Sequence, residues 1–164
     1  MTNIASAREL LTRVRERGVI DFCVCAGSRN SPLLAVLASD FETSDAVRIL
    51  SFVDERSAAF FALGRIKLRG RPAAVITTSG TAVAELLPAA IEAYYSGLPL
   101  ILITADRPAR YRGTGAPQAI EQVGLFGLYA ARAFEEWSGQ GPLHCNIEFD
   151  EPLIDEVLGG RDGG

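Results

Sequence analysis

The chain consists of short runs of consecutive apolar residues, separated by longer stretches in which apolar positions recur every three or four residues. The runs predict strands covered on both faces of a sheet, and the second pattern predicts helices with one buried face. The predicted strands are 19–26, 47–53, 73–77, 100–105 and 143–149, and the predicted helices are 6–17, one beginning at Pro32, 57–68 and 82–95. This alternation predicts an α/β fold of three layers, α/β/α, around a mainly parallel sheet.

The pattern weakens after Pro108. Residues 109–119 contain two glycines and a proline and predict a loop, which is followed by short helices over 120–129 and 130–137. Residues 159–164 are mostly glycine, which predicts a flexible tail or the start of a linker.

Three of the predicted strands end in a short polar cluster. Residues 54–57, 78–81 and 106–108 follow the second, third and fourth strands. Because parallel strands end at the same edge of a sheet, we expect these clusters to lie side by side. Open α/β folds bind their ligands in a crevice at that edge, so the sequence predicts a binding site there.

Composition narrows the possible classes of protein. With 164 residues, 48% of them hydrophobic and 22% charged, the chain is long enough for one globular domain with a core. The net charge of −4 disfavours a broad nucleic-acid-binding surface. No apolar stretch reaches the roughly 18 residues of a membrane span, and the first residues lack a basic-then-apolar signal. We therefore expect a cytoplasmic protein without a nucleic-acid partner or a membrane span.

The cysteines and the single histidine do not have the spacing of a metal site. Cys23 and Cys25 are two residues apart on a predicted strand, and we place their side chains on opposite faces of the sheet. Cys145 directly follows His144 in a segment that alternates like a strand. A structural zinc site needs a denser pattern. We predict that all four side chains pack in the core and that the chain has no metal ligands.

Glu55 is the strongest candidate for a catalytic residue. A carboxylate directly after a strand of aliphatic residues is expected to be partly desolvated, which increases its affinity for a proton. Such a carboxylate can share a proton with a ring nitrogen. The alternative is that Asp54 and Glu55 only cap the following helix and neutralise its amino end.

Residues 78–81 are candidates for binding an anion or the polar edge of a ring. Their backbone N–H groups and hydroxyls lie where a helix begins, and Gly80 permits a close approach. The cluster lacks the lysine and the spacing of a Walker loop. The alternative is an ordinary turn between a strand and a capped helix.

The arginines suggest a small acidic substrate. Ser28-Arg29 and Arg107 suit carboxylates, because a guanidinium can donate two parallel hydrogen bonds to one. Gln118 offers a donor and an acceptor to the same pocket. The alternatives are that Arg107 pairs with Asp106 and that Arg29 lies in solvent.

Seven segments together resemble one enzyme family. Residues 26–33 resemble the Gly-Ser-Arg-x-Ser/Thr-Pro-Leu signature of 2-succinyl-5-enolpyruvyl-6-hydroxy-3-cyclohexene-1-carboxylate synthase (SEPHCHC synthase) of menaquinone biosynthesis. The others, in the same order as in the family, are 54–58, 61–64, 78–82, 104–108, 115–120 and 141–146. Their common order separates this family from other thiamine-diphosphate enzymes, which share only the glutamate and the fold.

The resemblance implies that residues 1–155 form the pyrimidine-binding domain of a thiamine-diphosphate-dependent transferase, followed by a tail or linker from 156. The family joins 2-oxoglutarate, with loss of carbon dioxide, to isochorismate, and uses thiamine diphosphate with Mg²⁺ or Mn²⁺. The glutamate matching Glu55 hydrogen-bonds the aminopyrimidine ring nitrogen and is thereby catalytic. The resemblance further implies cofactor contacts at Glu55, Thr78, Ser79 and Gly80, and substrate contacts at Ser28, Arg29, Arg107 and Gln118.

The resemblance also implies that part of the active site lies outside this sequence. We find no Gly-Asp-Gly motif with a downstream Asn, with which the family holds the metal and the diphosphate. In the family that diphosphate-binding domain comes from a second subunit of a homodimer or homotetramer, so we expect the isolated chain to be inactive. Asn30 replaces the usual Ser or Thr and Ala26 a common Pro. The stretch 126–141 is short, which we expect to remove a strand.

Other interpretations stay open at this point. The chain is alternatively a domain of an acetohydroxyacid-synthase-like enzyme or 2-oxo-acid decarboxylase, which the Ser28-Arg29 and Asp106-Arg107 motifs disfavour. It is alternatively a non-catalytic binding or assembly module, or one chain of a split enzyme. Under every interpretation, we expect apolar surface that a partner domain normally covers to be exposed here, and we therefore expect self-association at high concentration.

Overall fold

The computed structural model describes residues 1–41 and 47–156. Five strands form one sheet: β1 Asp21–Cys25, β2 Arg48–Phe52, β3 Ala73–Thr77, β4 Leu100–Asp106 and β5 Leu143–Glu148. The strands are all parallel and lie in the order β2-β1-β3-β4-β5. The predicted α/β fold with a parallel sheet is confirmed. The predicted tail, 159–164, lies outside the described residues.

Helices cover both faces of the sheet. They are α1 Asn3–Glu16, α2 Ser31–Val36, α3 Glu55–Arg69, α4 Thr81–Ala84 and α5 Leu87–Ser96, and α2 continues as a π-helix, Leu37–Phe41. One core cluster joins α1 and α2 to one face, and a second joins α3 and α5 to the other. The fold therefore has three layers. No helix in the described ranges is long and apolar enough to cross a membrane.

Local sequence signals explain where the site-bearing helix α3 begins and ends. The Asp54 side chain accepts a hydrogen bond from the Ser57 backbone N–H at 2.7 Å, which caps the first turn. Gly70 ends the helix at φ 62°, in the left-handed region that glycine enters without strain. Along its length α3 packs mainly on the inner strands β1 and β3, and little on the edge strand β2.

The predicted helix over 82–95 is interrupted. α4 ends at Ala84 and α5 begins at Leu87, with Pro88 in its first turn. A proline inside a continuous helix would clash with the carbonyl group four residues earlier, which here belongs to Ala84. Pro88 is instead tolerated because a first-turn N–H has no helical partner.

The prediction of two helices after the loop, over 120–129 and 130–137, is wrong. Residues 120–129 form turns and a single 3-10 turn, Gly127–Tyr129. Residues 130–137 are irregular: Ala131 makes one parallel bridge to Leu143, and the Trp137 indole donates to the Gly141 carbonyl oxygen at 3.0 Å. The apolar spacing that suggested a helix arises because Phe134 and Trp137 reach the core from this loop. Between β4 and β5, this bridge is the only β-pairing within the described residues.

The expected placement of Cys23 and Cys25 on opposite faces is also wrong. Both thiols lie in the core cluster under α3 and α5, because residues two apart on a strand share a face. At the opposite end of β1, the buried Asp21 carboxylate is paired with Arg48 at 2.6 Å and Arg65 at 2.9 Å. This cluster ties β1, β2 and α3 together at the amino edge of the sheet.

Candidate functional site

The strand order brings the predicted clusters to one edge. Reading across the carboxyl edge, Glu55 follows β2, Ser28 follows β1, the turn 78–81 follows β3 and Arg107 follows β4. The turns after β1 and β3 touch: a Cβ placed on Gly27 would lie 2.6 Å from the Thr78 Cβ. A side chain at position 27 would therefore separate these two turns.

Glu55 is the first residue of α3, and it does not cap the helix. Asp54 fills that role, so the capping alternative holds for Asp54 and leaves the Glu55 carboxylate for another use. Glu55 is half-buried, and within the described chain its carboxylate has neither a hydrogen bond nor an ion pair. Burial raises the pKa of the neighbouring Cys25 thiol to about 12, and the negative charges of Glu55 and Asp54 add to this rise.

Apolar side chains are exposed at the end of β2 and on α3, close to Glu55 in the sequence. Val53, two residues before Glu55, is fully exposed, and Phe60 and Phe61 of α3 are also exposed. The Phe61 ring packs against Phe52 at the end of β2, with ring centroids 5.1 Å apart. Exposed aromatic and aliphatic side chains of this kind are typical of a surface that binds a ligand or a partner.

The turn after β1 is closed by Asn30. Its side-chain oxygen accepts from the Gly27 N–H, and its nitrogen donates to the Cys25 carbonyl oxygen, both at 2.9 Å. Asn30 makes the two bonds through two different side-chain atoms, whereas a Ser or Thr would have to make both through its one hydroxyl oxygen. Ser28 lies exposed at the top of the turn.

Arg29 does not lie in solvent, so that alternative is wrong. The residue is 6% exposed, and its guanidinium donates to the Phe149 carbonyl oxygen at 3.0 Å. Its second terminal nitrogen is 3.1 Å from a carboxylate oxygen of Glu151. Arg29 therefore already binds a carboxylate, from the segment that follows β5.

The turn 78–81 is mostly buried, and its glycine N–H is occupied. Thr78, Ser79 and Gly80 are buried, and the Gly80 N–H donates to Oε1 of Gln122 at 3.1 Å. This amide is thus not free to receive an anion. The Thr77 hydroxyl just before the turn is buried and has no partner in the described part of the chain.

Residues 107–122, which we call the arm, run across this edge after β4. The Arg107 Nε donates to the Pro117 carbonyl oxygen at 2.8 Å, inside the arm. The alternative that Arg107 pairs with Asp106 does not hold for the side chains: the Asp106 carboxylate pairs with the Arg112 guanidinium at 3.1 Å and accepts from Arg107 only the backbone N–H, at 2.8 Å. Gln118 is exposed and has φ 53°, an uncommon conformation for a residue other than glycine.

Sequence reasoning missed Gln122. Its amide is fully buried, and besides accepting from Gly80 it donates to the Ala105 carbonyl oxygen at 2.9 Å and to Oδ1 of Asn146 at 2.7 Å. Nothing in the local pattern marks it, because a glutamine in a turn-rich segment is normally exposed. The only available pointer was its position, two residues after the end of the matched motif 115–120.

The histidine and cysteines pack in the core, as predicted. All three thiols are free and buried. The His144 ring is 4% exposed, lies edge-on to Phe126 and is bonded through Nε2 to the Thr104 hydroxyl at 2.7 Å. Across residues 1–41 and 47–156, no three His, Cys, Asp or Glu side chains converge in a way that would hold a metal ion.

The class of protein follows from a comparison with known families. Residues 5–125 match the family described as "Thiamine pyrophosphate enzyme, N-terminal TPP binding domain", so the chain belongs to that family.

Individual relatives narrow the comparison further. The chain is 51% identical to a 2-succinyl-5-enolpyruvyl-6-hydroxy-3-cyclohexene-1-carboxylate synthase of Bdellovibrio bacteriovorus, over 94% of this chain and 31% of that protein. Proteins of the same name from Akkermansia muciniphila and a Nocardioides species are 50% and 46% identical, over 88% and 92% of this chain and 29% and 28% of theirs. The resemblance deduced from the motifs is confirmed. The chain spans about a third of the length of these curated relatives.

Proposed function

We propose that this chain is the pyrimidine-binding part of a SEPHCHC synthase, which joins 2-oxoglutarate, with loss of carbon dioxide, to isochorismate. The observation that carries the proposal is the Glu55 carboxylate, which begins α3 at the carboxyl edge and has no partner in the described chain. The relatives named above support the choice of reaction within the family.

The residues present fit thiamine diphosphate. A half-buried carboxylate without a partner is suited to a ring nitrogen that carries or shares a proton. The glycine at position 27 keeps the turn after β1 against Thr78, so no Cβ separates the turns beside Glu55. The buried Thr77 hydroxyl and the neighbouring Thr78 and Ser79 are the other polar groups of this cradle.

In this proposal Glu55 holds a proton at the aminopyrimidine ring nitrogen and so sets the protonation state of that ring. Thiamine diphosphate supplies a thiazolium carbon that acts as the nucleophile toward the 2-oxo acid. Val53 and Phe61 exclude water around the Glu55 carboxylate once a partner covers them, which strengthens the hydrogen bond to the ring.

We propose that Arg107 and Gln118 contact the acidic substrates. Within the guanidinium of Arg107, only the Nε has a hydrogen bond in the described chain, so the two terminal nitrogens can donate to a carboxylate. Gln118 is exposed on the same arm. Ser28 is exposed on the turn after β1, and Arg29 contributes only if a substrate carboxylate displaces Glu151.

The remaining ligands of the site are proposed to lie outside this chain. A diphosphate-binding domain from a second subunit would bind Mg²⁺ or Mn²⁺ and the diphosphate, and would cover Val53, Phe60 and Phe61. Without it, the exposed apolar surface is expected to cause self-association at high concentration. A monomer across a concentration series in sedimentation velocity would contradict this expectation. A cytoplasmic location stays a prediction.

The experiment measures carbon dioxide release from 2-oxoglutarate that depends on isochorismate, with thiamine diphosphate and magnesium present. The chain is assayed alone and mixed with the diphosphate-binding and central domains of a relative. We expect activity only in the mixture. Glu55→Gln should abolish it, because the amide cannot take up the proton, whereas Glu9→Gln, an exposed carboxylate on α1, should leave it unchanged.

Either of two results would overturn the proposal. Full activity of the Glu55→Gln mixture would remove the role of this carboxylate. Absence of activity in every mixture, with the domains shown to associate, would favour a non-catalytic assembly module.

A further inference from the structure

We propose that Gln122 is a positioning residue, which fixes the arm over the turn 78–81 and thereby places Arg107 and Gln118 for the substrate. The consequence for the reaction rests on the function proposed above. The placement itself rests only on the contacts of this chain.

Gln122 connects three separate parts of the fold through one buried side chain. Its oxygen accepts from Gly80 in the turn after β3, and its nitrogen donates to Ala105 in β4 and to Asn146 in β5. A side-chain amide has two N–H groups and one oxygen, so these three bonds use both N–H groups and one of the two acceptor positions of the oxygen. Losing a buried bond of this kind leaves its partner unsatisfied, which costs more than the bond itself contributes.

The contact between Gly80 and Gln118 shows why this anchor controls the substrate side. A Cβ on Gly80 would lie 3.1 Å from the Cα of Gln118, so the two backbones are closely packed. Gly80 has φ 80° and Gln118 has φ 53°, and a left-handed conformation persists in a residue such as Gln118 only when its surroundings hold it. Gln122, four residues further on, provides the nearby hydrogen bond to Gly80.

A second connection to the arm also runs through Asn146, and it reaches Arg112. Asn146 donates to the Asp106 carboxylate at 3.0 Å, and that carboxylate pairs with Arg112. Asn146 therefore links the anchor at Gln122 to the one at Arg112. Between the buried anchor at Gln122 and the partly exposed anchor at Arg112, the arm exposes Gln118.

The arrangement separates two kinds of effect on the reaction. Glu55 acts on the cofactor ring, so its loss should lower kcat. Gln122 touches neither substrate nor cofactor in this arrangement. Its loss should loosen the arm, and so weaken substrate binding and raise KM with little change in kcat.

The placement is tested on this chain without any activity. Hydrogen exchange of the Gly80 amide is measured by NMR in the wild type, in Gln122→Met and in the control Gln140→Met. Met at position 122 conserves the volume but accepts no comparable hydrogen bond, so we expect exchange of the Gly80 amide to become about tenfold faster. Gln140 is exposed, and its substitution should leave the Gly80 amide close to the wild type. The Ile103 amide in β4 is the reference for global opening.

The consequence for the reaction is tested in the domain mixture. We expect Gln122→Met to raise the KM for isochorismate about tenfold with kcat within about twofold, a loss of about 1.4 kcal/mol in substrate binding. Glu55→Gln should show the opposite division between the two constants. A fall in kcat at constant KM would overturn the positioning role.

The two proposals fail in different ways. Equal Gly80 exchange in the wild type and Gln122→Met overturns the inference, whatever the activity. An inactive wild-type mixture together with faster Gly80 exchange in Gln122→Met refutes the proposed function, while the placement of the arm by Gln122 stands. If Gln122→Met does not fold, exchange of the Gly80 amide in the wild type that is as fast as exchange of the exposed Gly115 amide overturns the inference.

Discussion

His144 is expected to make the stability of this chain depend on pH between neutral and mildly acidic conditions. Burial lowers the pKa of His144 from 6.5 to about 4, and the positive charge of Arg132 adds to the shift. Because the Thr104 hydroxyl donates to Oδ1 of Asn146, Nε2 of the ring carries the hydrogen that it shares with Thr104. The folded state therefore binds the neutral ring.

The size of the effect follows from these two pKa values. Between pH 6.5 and 4 the unfolded chain takes up a proton on this histidine and the folded chain does not, so protonation favours unfolding as the pH falls. With a pKa of 6.5 in the unfolded chain and about 4 in the folded chain, proton linkage gives a loss of about 2 kcal/mol in the free energy of unfolding between pH 7 and pH 5. Most carboxylates titrate below this interval.

The assay is urea unfolding at several pH values between 7 and 5. His144→Gln is the matched control, because a glutamine can still donate to Thr104 but does not titrate. His144 is the single histidine of the chain, so no other imidazole contributes. We expect the wild type to lose about 2 kcal/mol more than the variant over this interval. Parallel curves for the two proteins would refute the reasoning, as would an NMR titration of the folded ring with a midpoint near 6.5.

Three further predictions concern packing, ion pairing and thiol burial. Gly27→Ala should lower the free energy of unfolding by about 2 kcal/mol through its clash with Thr78, whereas Gly64→Ala, in open space on α3, should be neutral or stabilising by up to about 1 kcal/mol. Both are measured by urea unfolding. Burial opposes the charge of Asp21, but hydrogen bonds from its two arginine partners outweigh this and lower its pKa. Its stabilisation is therefore complete above the unfolded pKa and lost as the pH falls below about 4, so Asp21→Asn should cost about 3 kcal/mol at pH 7 and unfold with a weaker acid dependence. Burial raises the pKa of all three cysteine thiols to about 12, and a thiol reagent at pH 8 should react with them only after urea is added.

The sequence predicted the central sheet well because each of its strands is a short apolar run bounded by Gly, Pro or polar residues. It failed between β4 and β5, where apolar spacing does not distinguish a helix from a loop that inserts Phe134 and Trp137 into the core. It also missed the break at Pro88, although the steric reason is local and the proline was visible. The spacing of apolar residues indicates which side chains are buried, but it does not determine whether the backbone there is a helix or a loop.

The candidate site was predictable to the extent that it depends on topology. Parallel strands necessarily bring Glu55 and the turn 78–81 to one edge. Pairwise contacts were not predictable, because they depend on residues distant in sequence. Arg29 binds Glu151, and the N–H of Gly80 is bonded to Gln122. The Asp106 carboxylate pairs with the guanidinium of Arg112 and takes only the backbone N–H of its neighbour Arg107.

The packing of α3 has a consequence for fluctuations at the edge of the sheet. β2 is one of the two edge strands and is half-exposed along its length, so it should open more often than the inner strands. Glu55 belongs to α3, which rests on β1 and β3. Fraying of β2 should therefore leave the catalytic candidate in place. In native-state hydrogen exchange, fast exchange in β2 together with slow exchange in the first half of α3 would show that the position of Glu55 does not depend on the edge strand that precedes it.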